Sequence, residues 1–138
     1  MKIGLEMMNK IVIAIMVTLF HLCTSGCSAP KMIGGPIQAT ILTDGIYEGE
    51  ARNGPVKVVA EVTVQDQHIT KINLLKHSNW KGEAAEEPVL IRIVEKQSTK
   101  VDAVSGATMS SVTIMNAVED AINKAKERRK GIKSTLDP

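Results

Sequence analysis

Val56, Val58, Ala60, Val62 and Val64 alternate with Lys57, Val59, Glu61 and Thr63. A period of two over nine residues means a strand with one face in a core and the other, mostly polar, face in water. Asn53-Gly54-Pro55 before it and Gln65-Asp66-Gln67 after it are turn signals, so it is expected to be one arm of two hairpins. The arm before it is 46–51, opened by Asp44-Gly45. The arm after it is 68–77, where Ile69, Ile72, Leu74 and Leu75 break the alternation and suggest a bulge.

Two helices should cover the apolar face. Glu86-Glu87-Pro88 suits a helix start, with acids on the positive dipole end and proline in the first turn. Val89, Leu90, Ile93 and Val94 form its apolar stripe, and 97–100 ends it. In the second helix Ser111, Met115, Val118, Ile122 and Ala125 recur at spacings of four and three, widened by Ile114, Ala117 and Ala121. Glu119, Asp120 and Lys124 lie off that stripe, and Gly131 is expected to stop the helix. The fold class is therefore α+β: a small antiparallel sheet with two helices packed on one face.

The chain ends of this domain read differently. Lys2 and Lys10 precede a short apolar run over 11–20, followed by Thr24-Ser25-Gly26-Cys27. That is a secretory signal, too short for a membrane span of roughly 20 residues. Gly26-Cys27 resembles the lipobox of bacterial lipoproteins, which implies lipidation at Cys27, a membrane anchor and an extracytoplasmic location; the alternatives are an uncleaved signal anchor or plain secretion. With Cys23 removed in the leader, no disulfide framework is needed. The organisation read from the sequence is a leader over 1–27, a flexible linker over 28–43, a domain over 44–130 and a tail over 131–138.

Between the two helices lies Asp102-Ala103-Val104-Ser105-Gly106-Ala107-Thr108-Met109-Ser110-Ser111, where small residues and hydroxyls replace bulky apolar ones. A helix start offers unpaired N–H groups and a positive dipole end, which favour an anion such as phosphate. On the residues alone, N-capping explains the same hydroxyls. Other chemistries find less support. A net charge of +2 and an aromatic content of 2%, with only Tyr47 and Trp80 outside the leader, argue against a nucleic-acid footprint. His68 and His77 lack partners at metal-ligand spacing, so no metal site is expected. A hydrolase using Ser110 or Thr108 needs a base and an oxyanion hole, and neither histidine stands in a recognisable arrangement in the sequence.

The order D-x-x-S-G-A-T-x-S-S closely resembles the flavinylation motif of the FMN-binding domain family, and the likeness extends from about Asp44 to Ala125. That family includes small membrane-anchored lipoproteins and subunits of the Rnf complex and of the sodium-translocating NADH:quinone oxidoreductase. The resemblance implies FMN as cofactor, joined through a phosphoester to Thr108 by a flavin transferase, with membrane redox partners. It implies cofactor contacts from Asp102, Ser105, Gly106, Ala107, Ser110 and Ser111. His77 and Tyr47 match a family histidine and tyrosine, which makes His77 a candidate cofactor contact and leaves Tyr47 either a flavin contact or a half-buried strand residue; Trp80 is a candidate either to lie against the flavin ring or to cover the edge of the core. Asp102 is expected to fix the loop by accepting backbone N–H bonds. No catalytic residue is expected in an electron carrier of this kind. A module that holds flavin non-covalently, or not at all, is the alternative.

Overall fold

In the computed structural model, residues 8, 10–15, 30–37, 41–78 and 82–136 are described, with the backbone alone for 129–130 and 132–136. The alternating run becomes the middle strand, β2 (Val56–Gln65), between β1 (Gly45–Asn53) and β3 (His68–Ser78), all antiparallel. Val56, Val58, Ala60, Val62 and Val64 are all buried. Both hairpin loops have two residues. Gly54, at φ 55°, takes the first central position, where a type II′ turn needs positive φ. Asp66 and Gln67 lie at φ 51° and 66°, the two positive angles of a type I′ turn.

The broken alternation of β3 resolves into two register shifts. Val64 faces Ile69 and Thr63 faces Lys71, leaving Thr70 extra; Ala60 faces Leu74 and Val59 faces Lys76, leaving Leu75 extra. Each extra residue flips the parity of the strand beyond it. The second flip sets His77 opposite the buried Val58, on the core face rather than the wet one.

Helix α1 (Glu86–Lys96), preceded by a 3-10 turn at Glu83–Ala85, and helix α2 (Thr108–Leu136) cover that face. Val89 and Ile93 of α1 are buried, with Leu90 and Val94 half-buried beside them. The whole expected stripe of α2 is buried. Contact with β1 is close because Gly49 faces Ala117 and Ala121: a Cβ on Gly49 would meet Ala117 O, Ala121 N and Ala121 Cβ. Side chains of α2 also occupy the open edge of β1, with Asp120 accepting from Glu50 N at 3.1 Å and Lys124 donating to Glu48 O at 2.7 Å. At the other edge, Gln97 accepts from Ile69 N and donates to Ile69 O, each at 2.9 Å. Both edges thus lose part of their capacity to pair with another strand.

Three expectations are corrected. The spacer is not free over 30–37. Lys31 O and Ile33 N bond the Asn116 amide, Gly35 pairs with Thr99, and Ile37 N donates to Gln97 O. Ile37 and Leu42 are buried. The segment is held mainly by backbone bonds, so it carries no apolar period to read. Glu119, placed off the apolar stripe, is buried, because this strap covers its flank; Thr99 Oγ1 donates to its carboxylate and Lys126 pairs with it at 3.3 Å. Gly131 does not stop α2, which runs on to Leu136. A glycine inside a helix costs about 1 kcal/mol, too little to end one when no proline follows before Pro138.

Among the described residues no helix is long and apolar enough to cross a membrane. Residues 10–15 are helical and exposed. Cys23, Cys27 and Trp80 lie outside the described residues.

Candidate functional site

The segment between the helices turns sharply before α2. Ala107 N donates to Val104 O at 3.0 Å, closing a turn with Gly106 at its third position and φ 79°. A type II turn demands positive φ there. A Cβ on Gly106 would meet nothing within 4 Å, so backbone angle and not crowding calls for glycine. Ser111 clips the same turn from inside: its hydroxyl donates to Ala107 O at 2.9 Å and accepts from Val104 N at 3.0 Å. With Ser111 fully buried, that proton is committed to shaping the loop. Ala107 packs into the core.

Thr108 is the first residue of α2 and is exposed, as are Ser105, Gly106 and Met109. The first bond of the helical ladder runs from Ser111 N to Ala107 O at 2.9 Å. The N–H groups of Thr108, Met109 and Ser110 therefore have no acceptor within the helix. They stand beside the Thr108 hydroxyl at the positive end of a 29-residue helix. Three N–H donors and a hydroxyl at one helix start fit the phosphate end of a nucleotide-like ligand.

Asp102 behaves differently from expectation. Its side chain is 84% exposed and pairs with Lys96 at 3.2 Å, while its carbonyl accepts from Arg92 at 2.7 Å. The turn is closed by Ser111 instead, so the carboxylate has no backbone N–H to accept. Tyr47 is buried and donates to Thr43 O at 2.9 Å, as a half-buried strand residue would. His68 is exposed at a strand end, with Nδ1 2.7 Å from Asp66 O. Among the described residues no three His, Cys, Asp or Glu gather to hold a metal ion.

His77 is brought to the motif, although its place in the sequence shows no arrangement of that kind. Its side chain is 4% exposed and lies between the starts of both helices. The carboxylate of Glu86 can only accept, so Nδ1–H donates to it, at 2.6 Å. In the neutral ring Nε2 then accepts the Ser110 hydroxyl, at 3.3 Å. This acid–imidazole–alcohol chain resembles a hydrolytic relay in its partners only. Ser110 is 4% exposed, so its oxygen is not presented to a substrate. In the sequence Glu86 reads as a dipole complement alone. Its proximity to His77 depends on where α1 settles on the sheet, which no period in the sequence carries.

The family profile of the FMN-binding domain matches residues 52–123, from the end of β1 into α2, and so includes His77, Glu86 and the whole motif. The chain belongs to the FMN-binding domain family. FMN is the cofactor of this flavoprotein. Two curated proteins are similar to this chain. An uncharacterised protein of Treponema pallidum is 36% identical over 85 residues, 60% of this chain and 24% of its own. A urocanate reductase of Eggerthella lenta is 33% identical over 106 residues, 74% of this chain and 17% of its own. The chain thus spans less than a quarter of the length of either relative. In this FMN-binding domain the exposed first turn of α2 offers three N–H groups and one hydroxyl.

Proposed function

We propose that the protein carries FMN covalently, through a phosphoester on Thr108, and serves as an electron carrier tethered outside the cytoplasm. The observation that carries this reading is the exposure of Thr108 on the first turn of α2, next to three N–H groups with no helical acceptor. When bound, FMN supplies one- and two-electron redox chemistry. The chain's own part is to present one hydroxyl, hold phosphate oxygens on backbone N–H groups, and keep the turn fixed through Ser111.

Attachment uses FAD and a flavin transferase. The Thr108 oxygen forms a bond to the flavin-side phosphorus, the pyrophosphate P–O bond breaks, AMP leaves, and the hydroxyl proton passes to a base of the transferase. A hydroxyl is a weak nucleophile at its ordinary pKa, so that enzyme supplies base and metal. Ser105 and the open space over Gly106 leave room for a second protein at Thr108.

The similarity to a urocanate reductase supports a redox setting for the domain. The leader pattern and Gly26-Cys27 support a lipid anchor. Lys31 O already accepts from the Asn116 amide, so only three residues lie between Cys27 and the docked strap, four residue steps with a reach of at most about 14 Å. A domain held that close to a bilayer fits membrane redox partners. Coexpression with a flavin transferase, denaturation and desalting test the attachment. Flavin fluorescence should stay with the chain and vanish in Thr108→Ala; its loss from the wild-type protein on denaturation would favour a non-covalent module.

A further inference from the structure

We propose that His77 and Glu86 are positioning residues for FMN attachment, acting through Ser110 rather than touching the cofactor. The inference rests on the reading that Thr108 receives FMN. At 4% side-chain exposure, His77 has no surface to offer a flavin or a second protein. Two of its contacts lie at corresponding places. Glu86 is the first residue of α1, and Ser110 is the third residue of α2. One imidazole at the end of β3 therefore joins the starts of both helices.

Ser110 is unlike its neighbours. Serine and threonine near a helix start usually bond their own backbone. Ser111 does so to Ala107 O, and Thr113 to Met109 O at 2.7 Å. The Ser110 hydroxyl instead goes to His77. This contact fixes the rotation of α2 about its axis. Side chains on a helix step by about 100° per residue, so Thr108 lies about 200° around from Ser110. Holding Ser110 inward holds Thr108 outward, as their exposures show. Glu86 in turn holds the imidazole in the tautomer that accepts from Ser110.

The test is the initial rate of adduct formation in the full chain with purified flavin transferase, FAD and magnesium, read by intact mass. Ser110→Ala and His77→Ala should each slow attachment about tenfold, equivalent to about 1.4 kcal/mol. The double variant should be no slower than either single, since the pair acts as one unit. Glu86→Gln should lose about half of that effect on a logarithmic scale, about threefold, and His77→Gln, which can still accept and donate, should recover part of the rate. Ile122→Val, a core change far along α2, supplies the comparison for lost stability alone. Wild-type rates in the variants would overturn the proposal. So would multiplication of the two single effects in the double variant, or equal slowing in Ile122→Val. If His77→Ala does not fold, Glu86→Gln against Ile122→Val decides by the same criterion. A wild-type protein that takes no FMN refutes the Thr108 reading and this inference with it; a labelled wild type with unaffected variants refutes this inference alone.

Discussion

Replacing Gly49 with alanine puts the seating of α2 to a test of sign as well as size. In an extended strand, glycine to alanine normally stabilises by about 0.4–1 kcal/mol, because the unfolded chain has less freedom to lose. Here the added Cβ would lie 2.9 Å from Ala121 Cβ, and closer still to Ala117 O and Ala121 N. Carbon atoms pack at about 3.5–4.0 Å, so even the mildest of the three contacts is short by about 0.6–1.1 Å. Two of the three atoms are helix backbone and cannot rotate away. The helix must lift from β1 by about 1 Å, which disturbs the buried row Ala117, Val118, Ala121 and Ile122. Overpacking of a tight core costs about 1–3 kcal/mol, and backbone clashes place this change at the upper end. At about 4–8 °C per kcal/mol for a domain of this size, the melting temperature should fall by about 12 °C or more. Gly35→Ala is the control, since a Cβ there meets nothing within 4 Å. Thermal unfolding followed by circular dichroism reads both. An unchanged or raised melting temperature in Gly49→Ala would refute the close seating of α2 on β1.

Further perturbations separate the remaining contributions. Gln97→Ala removes the bonds to Ile69 N, Ile69 O and Val94 O, and should lower stability by about 2–3 kcal/mol in urea unfolding. Gly106→Ala places a Cβ at φ 79° in open space, so it should cost about 1–2 kcal/mol from backbone angle alone and slow FMN attachment. Labelled palmitate should be incorporated into the wild-type protein and not into Cys27→Ala; an unlabelled wild type would refute lipidation at that residue.

The parts of the fold carried by side-chain periodicity were legible in the sequence. The alternation through β2 and the spacing along α2 name the buried residues directly, since a single period settles which side faces the core. The motif could be located because small residues and hydroxyls cluster where a helix begins. What remained hidden depends on backbone bonding or on parity. The strap over 30–37 docks through main-chain groups, with Gly34 leaving no space for a Cβ beside Thr99 and Glu119. Such a segment looks like a spacer in any hydropathy reading. His77 shares the face of Ile69 because the two bulges cancel in parity, whereas a single extra residue in β3 would have turned it to water; the broken run between them gives no period from which to count. Its partners Glu86 and Ser110 are then 9 and 33 residues away, brought together only when both helices settle on the same face.

Intact-mass and peptide mass spectrometry of the protein made with a competent flavin transferase tests the flavinylation of Thr108 most directly. The peptide containing Thr108 should carry the mass of FMN less one water, and the adduct should disappear in Thr108→Ala. An unmodified Thr108 peptide in protein that has met an active transferase and FAD, or an adduct that persists in Thr108→Ala, would contradict it.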